Sequence, residues 1–391
     1  MILLAQIHNK LLSWKRDKLD LLWDRFYKKH DGWHKLDAFF ELPVWAARLQ
    51  RIHSEPLEFY VIENLEHFKQ YLAVQKPDKV LMSVMDVNCE LIKEIVHSSP
   101  GTEFVLGGYL SSFEIKDASN YKYWKTLEEY CAHYKLPYLD EIDLSIFKRF
   151  YNNKPAYIPR LTLSFGCTNL CKFCTVPSKI IERAEASIFA DAQNIIDNTS
   201  FTFVYLDDKT FGQASNYKIL LSLYHFFKKQ NPEFRGFIVQ TTIRELINKL
   251  IHNTELDACI AYYEIGLEVF SDAFYQRYKK PITTTAFDSV LKEPRLLNRI
   301  IYNIMVGVPG TTNQEYQATL ETLKKHSNYV HHINIYNFSL YDNTEIAKEQ
   351  KKKTQDDACE FIKIKGFHSQ ADQELVLKYY SLFLDYFKQK I

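Results

Sequence analysis

Apolar and polar positions divide the chain into two successive series of strand-like and helix-like segments. In the first series, apolar runs at Ile2–Ile7, Leu57–Glu63, Lys79–Val84 and Glu103–Leu106 predict strands, the last running into Gly107-Gly108. Apolar positions three to four apart predict helix within residues 10–40, and again over Leu65–Val74, Glu90–His97 and Trp124–Tyr134. Asn64 is placed as an N-cap, and Pro43 stands in the first turn of a further helix. Residues 136–140 and 152–159 read as a linker. Strands alternating with helices imply a Rossmann-like, doubly wound parallel sheet. Ligands of such a sheet lie outside the strand C-termini, here His8-Asn9, Ser83–Asn88 and Gly107–Ser111.

From Leu161 the pattern changes to a regular strand–loop–helix repeat. Strands are predicted at Leu161–Phe165, Phe201–Leu206, Gly236–Gln240, Cys259–Leu267, Arg299–Val306 and His332–Asn337. Helices follow them at 177–198, 216–229, 244–252, 271–278 and 313–325. The tail carries a charged connector at 349–353, expected to be solvated, and an amphipathic helix over Gln373–Lys388. Its apolar side comprises Leu375, Leu377, Tyr380, Leu382, Phe383 and Tyr386, expected to pack on the second series or on the N-terminal sheet. Three parts are expected: 1–150, 151–350 and a helical extension, 351–391.

Composition narrows the setting. The 391 residues hold 49 Lys plus Arg against 48 Asp plus Glu, so no global field draws the chain to nucleic acid or an anionic membrane. No apolar run approaches the roughly 20 residues of a membrane span. Of the seven cysteines, Cys89, Cys131, Cys259 and Cys359 are scattered singly. An odd total with one tight cluster points to a reducing, cytoplasmic setting and not to a disulfide framework. A monomer is expected.

The tight cluster is Cys167-x3-Cys171-x2-Cys174, directly after the first strand of the repeat. Its plainest alternative is a zinc site with a distant fourth ligand. Three thiolates on a cubane iron–sulfur cluster leave one iron open. The stretch resembles the signature of the radical S-adenosylmethionine (SAM) superfamily, with Phe173 where that family places an aromatic. The resemblance implies a partial (β/α)6, TIM-like barrel, a [4Fe-4S] cluster on the three cysteines, and SAM completing it. It also implies reductive cleavage to a 5′-deoxyadenosyl radical, with a flavodoxin or ferredoxin as electron donor. Asp207 and Asp208 then fall where relatives contact the SAM amino group; a helix cap is the bland alternative. Glu268 matches the family's Gly-x-Glu-Ser element, with Val269 replacing Ser. Gln240 and Thr241 fall near ribose or substrate, and Arg244 is expected to meet a carboxylate. Gly307 and Pro309 belong to a Gly-x-Pro-Gly turn near adenine, which a tight turn alone would also explain. Tyr341, in the place of the closing loop, is assigned to substrate. Lys279-Lys280-Pro281 reads as a solvated turn.

A second resemblance covers the N-terminal series. Lys76–Val84 and Glu103–Gly108 are similar to the cobalamin-binding domain that precedes many radical SAM modules, with Ser83, Gly107 and Gly108 against the cofactor. The D-x-H-x-x-G motif that supplies an axial histidine is missing. The two resemblances together imply cobalamin-dependent C-methylation of a small molecule. The alternative is cobalamin-independent chemistry (rearrangement, epimerisation or 3-amino-3-carboxypropyl transfer) beside a vestigial domain. A non-catalytic cluster protein is the third reading. The extra cysteines of SPASM-type maturases and of methylthiotransferase N-terminal domains are missing.

Overall fold

The computed structural model describes residues 1–8, 11, 42–85, 88–108, 113–291, 293–338, 344–354 and 370–388. The helix expected within residues 10–40 and the loop carrying Tyr341 lie outside them. The chain forms two compact units. Among the described residues no helix is long and apolar enough to cross a membrane.

The first unit is built on five parallel strands: β1 (Ile2–Ile7), β2 (Glu58–Ile62), β3 (Lys79–Val84), β4 (Phe104–Gly108) and β5 (Tyr121–Trp124). They are ordered β2-β1-β3-β4-β5. Covered on both faces, such strands read as near-continuous apolar runs: Leu3, Leu4 and Ala5, like Val80, Leu81 and Met82, are all buried. The order reverses between β1 and β3, which makes the C-terminal ends of those strands the crevice of the fold. Asn64 caps the helix Leu65–Gln75, its Oδ1 accepting from His67 N at 3.0 Å. The sequence expectation of helix from Trp124 is corrected: β5 ends there, and the helix starts at Leu127, capped by Thr126. Between the two stretches read as linker lies the helix Ser145–Tyr151, with Ile146 and Phe147 buried. This unit also includes Ala186–Phe201. There Asp191 Oδ1 accepts from Ile142 N at 2.8 Å, and Asn194 Oδ1 from Leu144 N at 2.7 Å.

The second unit is a partial (β/α)6 barrel. Its parallel strands are β6 (Arg160–Leu161), then, after the short β7 (Ser164–Phe165) and β8 (Ile181–Glu182), β9 (Phe203–Leu206), β10 (Gly236–Thr241), β11 (Ile260–Glu268), β12 (Ile300–Val306) and β13 (Val330–Asn337). The sheet runs β13-β12-β11-β10-β9-β6. Each strand lies beside its predecessor with no reversal, the order of a barrel and not of a doubly wound sheet. The first expected strand is corrected too. It breaks after Leu161, and β7 pairs antiparallel with β8, so the helix expected from Pro177 starts only at Glu185.

The helix Asn313–Lys325 matches its expected span and opens on a Thr312–Glu315 capping box. The segment expected to be a charged connector lies in the helix Glu345–Thr354, where Glu349 is exposed, while Ile346 and Ala347 ahead of it are buried. The last helix, Gln370–Lys388, packs on the barrel. Tyr379 stacks on Tyr316 at 5.1 Å and donates to Asn313 Oδ1 at 2.8 Å, and Phe383 is fully buried.

Candidate functional site

The three clustered cysteines occupy a loop closed at its base. Gly166 has φ +89°, and a Cβ there would lie 2.0 Å from Lys179 O, so only glycine lets the two ends of the loop meet. Cys167 N donates to Pro177 O at 2.9 Å and Arg183 N to Leu163 O at 2.9 Å, on either side of the β7–β8 pair. Within the loop, Cys174 N donates to Cys171 O at 3.0 Å, a turn that brings the last two thiols round. Cys167 is buried, its Sγ hydrogen-bonded to Thr210 Oγ1 at 3.1 Å, while Cys174 is exposed. Burial pushes the Cys171 thiol up to about 11 and raises that of Cys174, so both are protonated until a cation draws the proton off. Among the described residues no three His, Cys, Asp or Glu side chains converge around a single ion. A cubane gives each thiolate its own iron, whereas zinc gathers its thiolates on one ion.

Tyr278 braces this loop. Its carbonyl accepts from Lys172 N at 3.0 Å, its ring lies 6.0 Å from that of Phe173, and its hydroxyl donates to Pro309 O. Gly307 N donates to Tyr316 OH at 2.8 Å and Gly310 O accepts from Arg277 Nη1 at 2.8 Å, so the Gly307–Gly310 turn is tied down by side chains.

Inside the barrel lies a cavity of about 310 Å³. Of the residues singled out by sequence, Asp207, Gln240 and Glu268 line it. Asp208 does not: it is buried, accepts from Leu163 N and Ser164 Oγ, and burial raises it to about 6. Thr241 is buried, its hydroxyl donating to Phe211 O at 2.8 Å. Arg244 Nε donates to the neighbouring Glu245 Oε1 at 3.3 Å, and its Nη2 reaches Asn169 Oδ1 of the cysteine loop at 3.4 Å.

Glu268 stands at φ +54°, a left-handed backbone that a non-glycine residue adopts at a cost. Its Oε1 accepts from Lys280 Nζ at 2.8 Å, both side chains nearly buried. Its Oε2 is buried with no hydrogen-bond partner among the described residues. The expectation of a solvated turn at Lys280 is therefore wrong. Burial works against the Lys280 ammonium, but Glu268 and the thiols of Cys171 and Cys174 outweigh it and raise its pKa.

Sequence reasoning missed the cavity's inner wall. Arg160 Nη1 donates to Asp207 Oδ1 at 2.7 Å, Lys209 Nζ donates to the same oxygen at 3.0 Å, and the guanidinium lies 4.5 Å over the Tyr205 ring. Glu264 accepts from Asn303 Nδ2 at 2.6 Å and from Tyr205, and burial raises its carboxyl pKa. Tyr205, Glu264 and Asn303 are polar positions within otherwise apolar strands, the signal that could have marked them.

In the first unit, Ser83 pairs with Gly107 and Val84 with Gly108 at the C-terminal ends of β3 and β4. A Cβ on Gly108 would lie 2.1 Å from Val84 O, so packing alone requires glycine there, whereas Gly107 has ordinary room. Buried Asn88 closes the turn after β3, donating to Ser83 O at 2.9 Å and accepting from Met85 N at 2.8 Å.

No family model matches the sequence. A probable threonylcarbamoyladenosine tRNA methylthiotransferase of Methanocaldococcus jannaschii is 24% identical over 57% of this chain and 54% of its own. The chain spans about half the length of the curated relatives it matches. Among solved structures, the radical SAM methyltransferase TsrM of Kitasatospora setae, with cobalamin and a [4Fe-4S] cluster bound, is similar over 90% of this chain and 78% of its own. Its TM-score is 0.61 at 12% identity. At that identity the likeness is one of fold. A second radical SAM structure, cobalamin-dependent OxsB with aqua-cobalamin and S-adenosylmethionine bound, covers 90% of this chain and 55% of its own at TM-score 0.58 and 13% identity. Both likenesses run beyond the radical SAM barrel to the N-terminal sheet, since each covers nine-tenths of the chain.

Proposed function

We propose that this chain is an enzyme that reductively cleaves SAM and uses the resulting radical to methylate carbon on a small molecule, with cobalamin held by the N-terminal sheet. The observation that carries it is the closed three-cysteine loop together with the Glu268–Lys280 pair, whose lysine feels the charge of Cys171 and whose glutamate lines the barrel cavity. Cys167, Cys171 and Cys174 would hold a [4Fe-4S] cluster, whose chemistry when bound is one-electron scission of a carbon–sulfur bond in SAM. The chain's own part is positional. Lys280 fixes one oxygen of Glu268, and the second is left to accept from an ammonium or hydroxyl of the cofactor, a charge-assisted bond. Gln240 supplies a polar contact on the neighbouring strand, and Gly307 and Pro309 a rigid turn for the adenine. Ser83 and Gly107 stand at the crevice edge where a flat cofactor would lie.

Anaerobic reconstitution tests the reading: about four irons per chain, lost in Cys171→Ala, and 5′-deoxyadenosine released from SAM on reduction. Zinc at one per chain with no iron uptake would overturn it. The second reading, radical chemistry without cobalamin, is favoured by the missing axial-histidine motif and by Gly108 being explained through Val84 alone. Purification with hydroxocobalamin decides between them, since a bound corrin is visible in the absorption spectrum.

A further inference from the structure

Four consecutive residues at the end of the helix Asp272–Arg277 each grip a different part of the candidate site. Arg277 Nη1 donates to Gly310 O at 2.8 Å, Lys279 Nζ to Glu345 Oε1 at 3.0 Å and Lys280 Nζ to Glu268 Oε1 at 2.8 Å. Tyr278 holds two parts at once. Its carbonyl accepts from Lys172 N at 3.0 Å, and its hydroxyl donates to Pro309 O. The peptide that joins Cys171 to Lys172 is thereby bonded at both ends, its carbonyl to Cys174 N at 3.0 Å and its N–H to Tyr278. Ordering of those two thiols therefore bears directly on Tyr278. The tyrosine itself has little freedom to absorb such a movement. Its N donates to Phe274 O at 3.0 Å, Lys280 N donates to Tyr275 O at 2.9 Å, and its buried ring lies 4.7 Å from that of Phe274. Close-packed interiors pass strain on instead of damping it, and chains of packed side chains and hydrogen bonds carry coupling between sites. Burial raises the pKa of the phenol, so the hydroxyl remains a donor.

We propose that Tyr278 is a positioning residue that couples two halves of the site. Ordering of the cysteine loop is passed through its backbone carbonyl and its hydroxyl to the Gly307–Gly310 turn, which then holds SAM more tightly. The inference rests on reading this site as one for SAM and adds the means by which its halves communicate. The other tethers of the turn lead elsewhere: Tyr316 belongs to the helix that follows it, and Arg277 joins it to Glu315.

The test is hydrogen exchange over residues 307–311 of the full chain, before and after anaerobic loading with iron and sulfide and without added SAM. Exchange there is expected to slow on loading in the unaltered protein. Tyr278→Phe keeps the ring and the backbone carbonyl and removes only the hydroxyl. It should take up as much iron as the unaltered protein and lose that slowing. In the unreduced state it should bind SAM about fivefold more weakly, the scale of one hydrogen bond. Arg277→Gln cuts a different tether of the same turn. It should speed exchange before and after loading alike and keep the response to iron, which separates coupling from mere support. No response in the unaltered protein, the same response or unchanged SAM affinity in Tyr278→Phe, or loss of the response in Arg277→Gln would each overturn the proposal. So would loss of iron from Tyr278→Phe, because the hydroxyl would then serve the fold of the loop itself. Iron uptake and SAM affinity of the unaltered protein, measured on the same samples, keep the two readings apart. Failure of either sinks the enzyme reading together with this one, whereas both intact without a response at the turn sink this one alone.

Discussion

Two adjacent carboxylates illustrate how neighbours decide the role of a residue. Asp207 lines the cavity and serves two cations, whereas Asp208 is buried and holds Leu163 N and Ser164 Oγ in place. An unperturbed aspartate titrates near 3.8, and burial lifts Asp208 to about 6. The folded state therefore binds a proton that the unfolded chain releases earlier. The stability Asp208 contributes is fully present below about pH 4 and is lost as pH rises through about 6. Asp208→Asn keeps one acceptor for Leu163 N and an amide for Ser164, and should flatten that slope. Thermal melts of both proteins between about pH 4 and 7 check it, and parallel slopes would refute it. Sequence alone ranked the two aspartates equally, because nothing in Asp-Asp tells which side chain turns toward the backbone of β7. Lys280 was misjudged for a related reason. Its partner Glu268 is twelve positions away, and a Lys-Lys-Pro run reads as solvated until folding brings the two together.

At the scale of elements, the cysteine loop depends on its base more than on its tip. A methyl at Gly166 meets Lys179 O and must also adopt φ +89°, a strain of ~1–3 kcal/mol before any clash is counted. Gly166→Ala is expected to lower both the melting temperature and the iron retained after gel filtration of reconstituted protein. Full iron retention would show that the β7–β8 closure is dispensable. The alternation Leu-Thr-Leu-Ser-Phe made these residues legible as strand but could not show where the strand changes partners. That depends on Asp208 taking Leu163 N out of the sheet, a contact made 45 positions along the chain. By contrast, the helix Asn313–Lys325 was legible in full, since its capping box is local to Thr312–Glu315. β5 was hidden because Tyr-Lys-Tyr-Trp at a sheet edge buries little, and its aromatics fit a helix start as well.

At the scale of the molecule, the alternation of strands and helices made both parallel sheets legible. Strand order was beyond it, because pairing is set by packing across the whole unit. The last helix is an integral part of the barrel unit: Phe383 is fully buried and Tyr379 bonds Asn313. Phe383→Ala should cost ~3–5 kcal/mol, borne by one unit alone. Hydrogen exchange should then quicken in β12 and β13 and stay unchanged in β1–β4, whereas uniform quickening would mean that the two units unfold as one. The other unit is interrupted in sequence, since Ala186–Phe201 completes it after the chain has already made β6 to β8. This has a bearing on synthesis. Ile142 and Leu144 are buried, and their amides have acceptors only once Asp191 and Asn194 have left the ribosome. Until then the segment around Ile142 and Leu144 has water in place of those acceptors, so it is expected to close only after residues 186–201 have emerged.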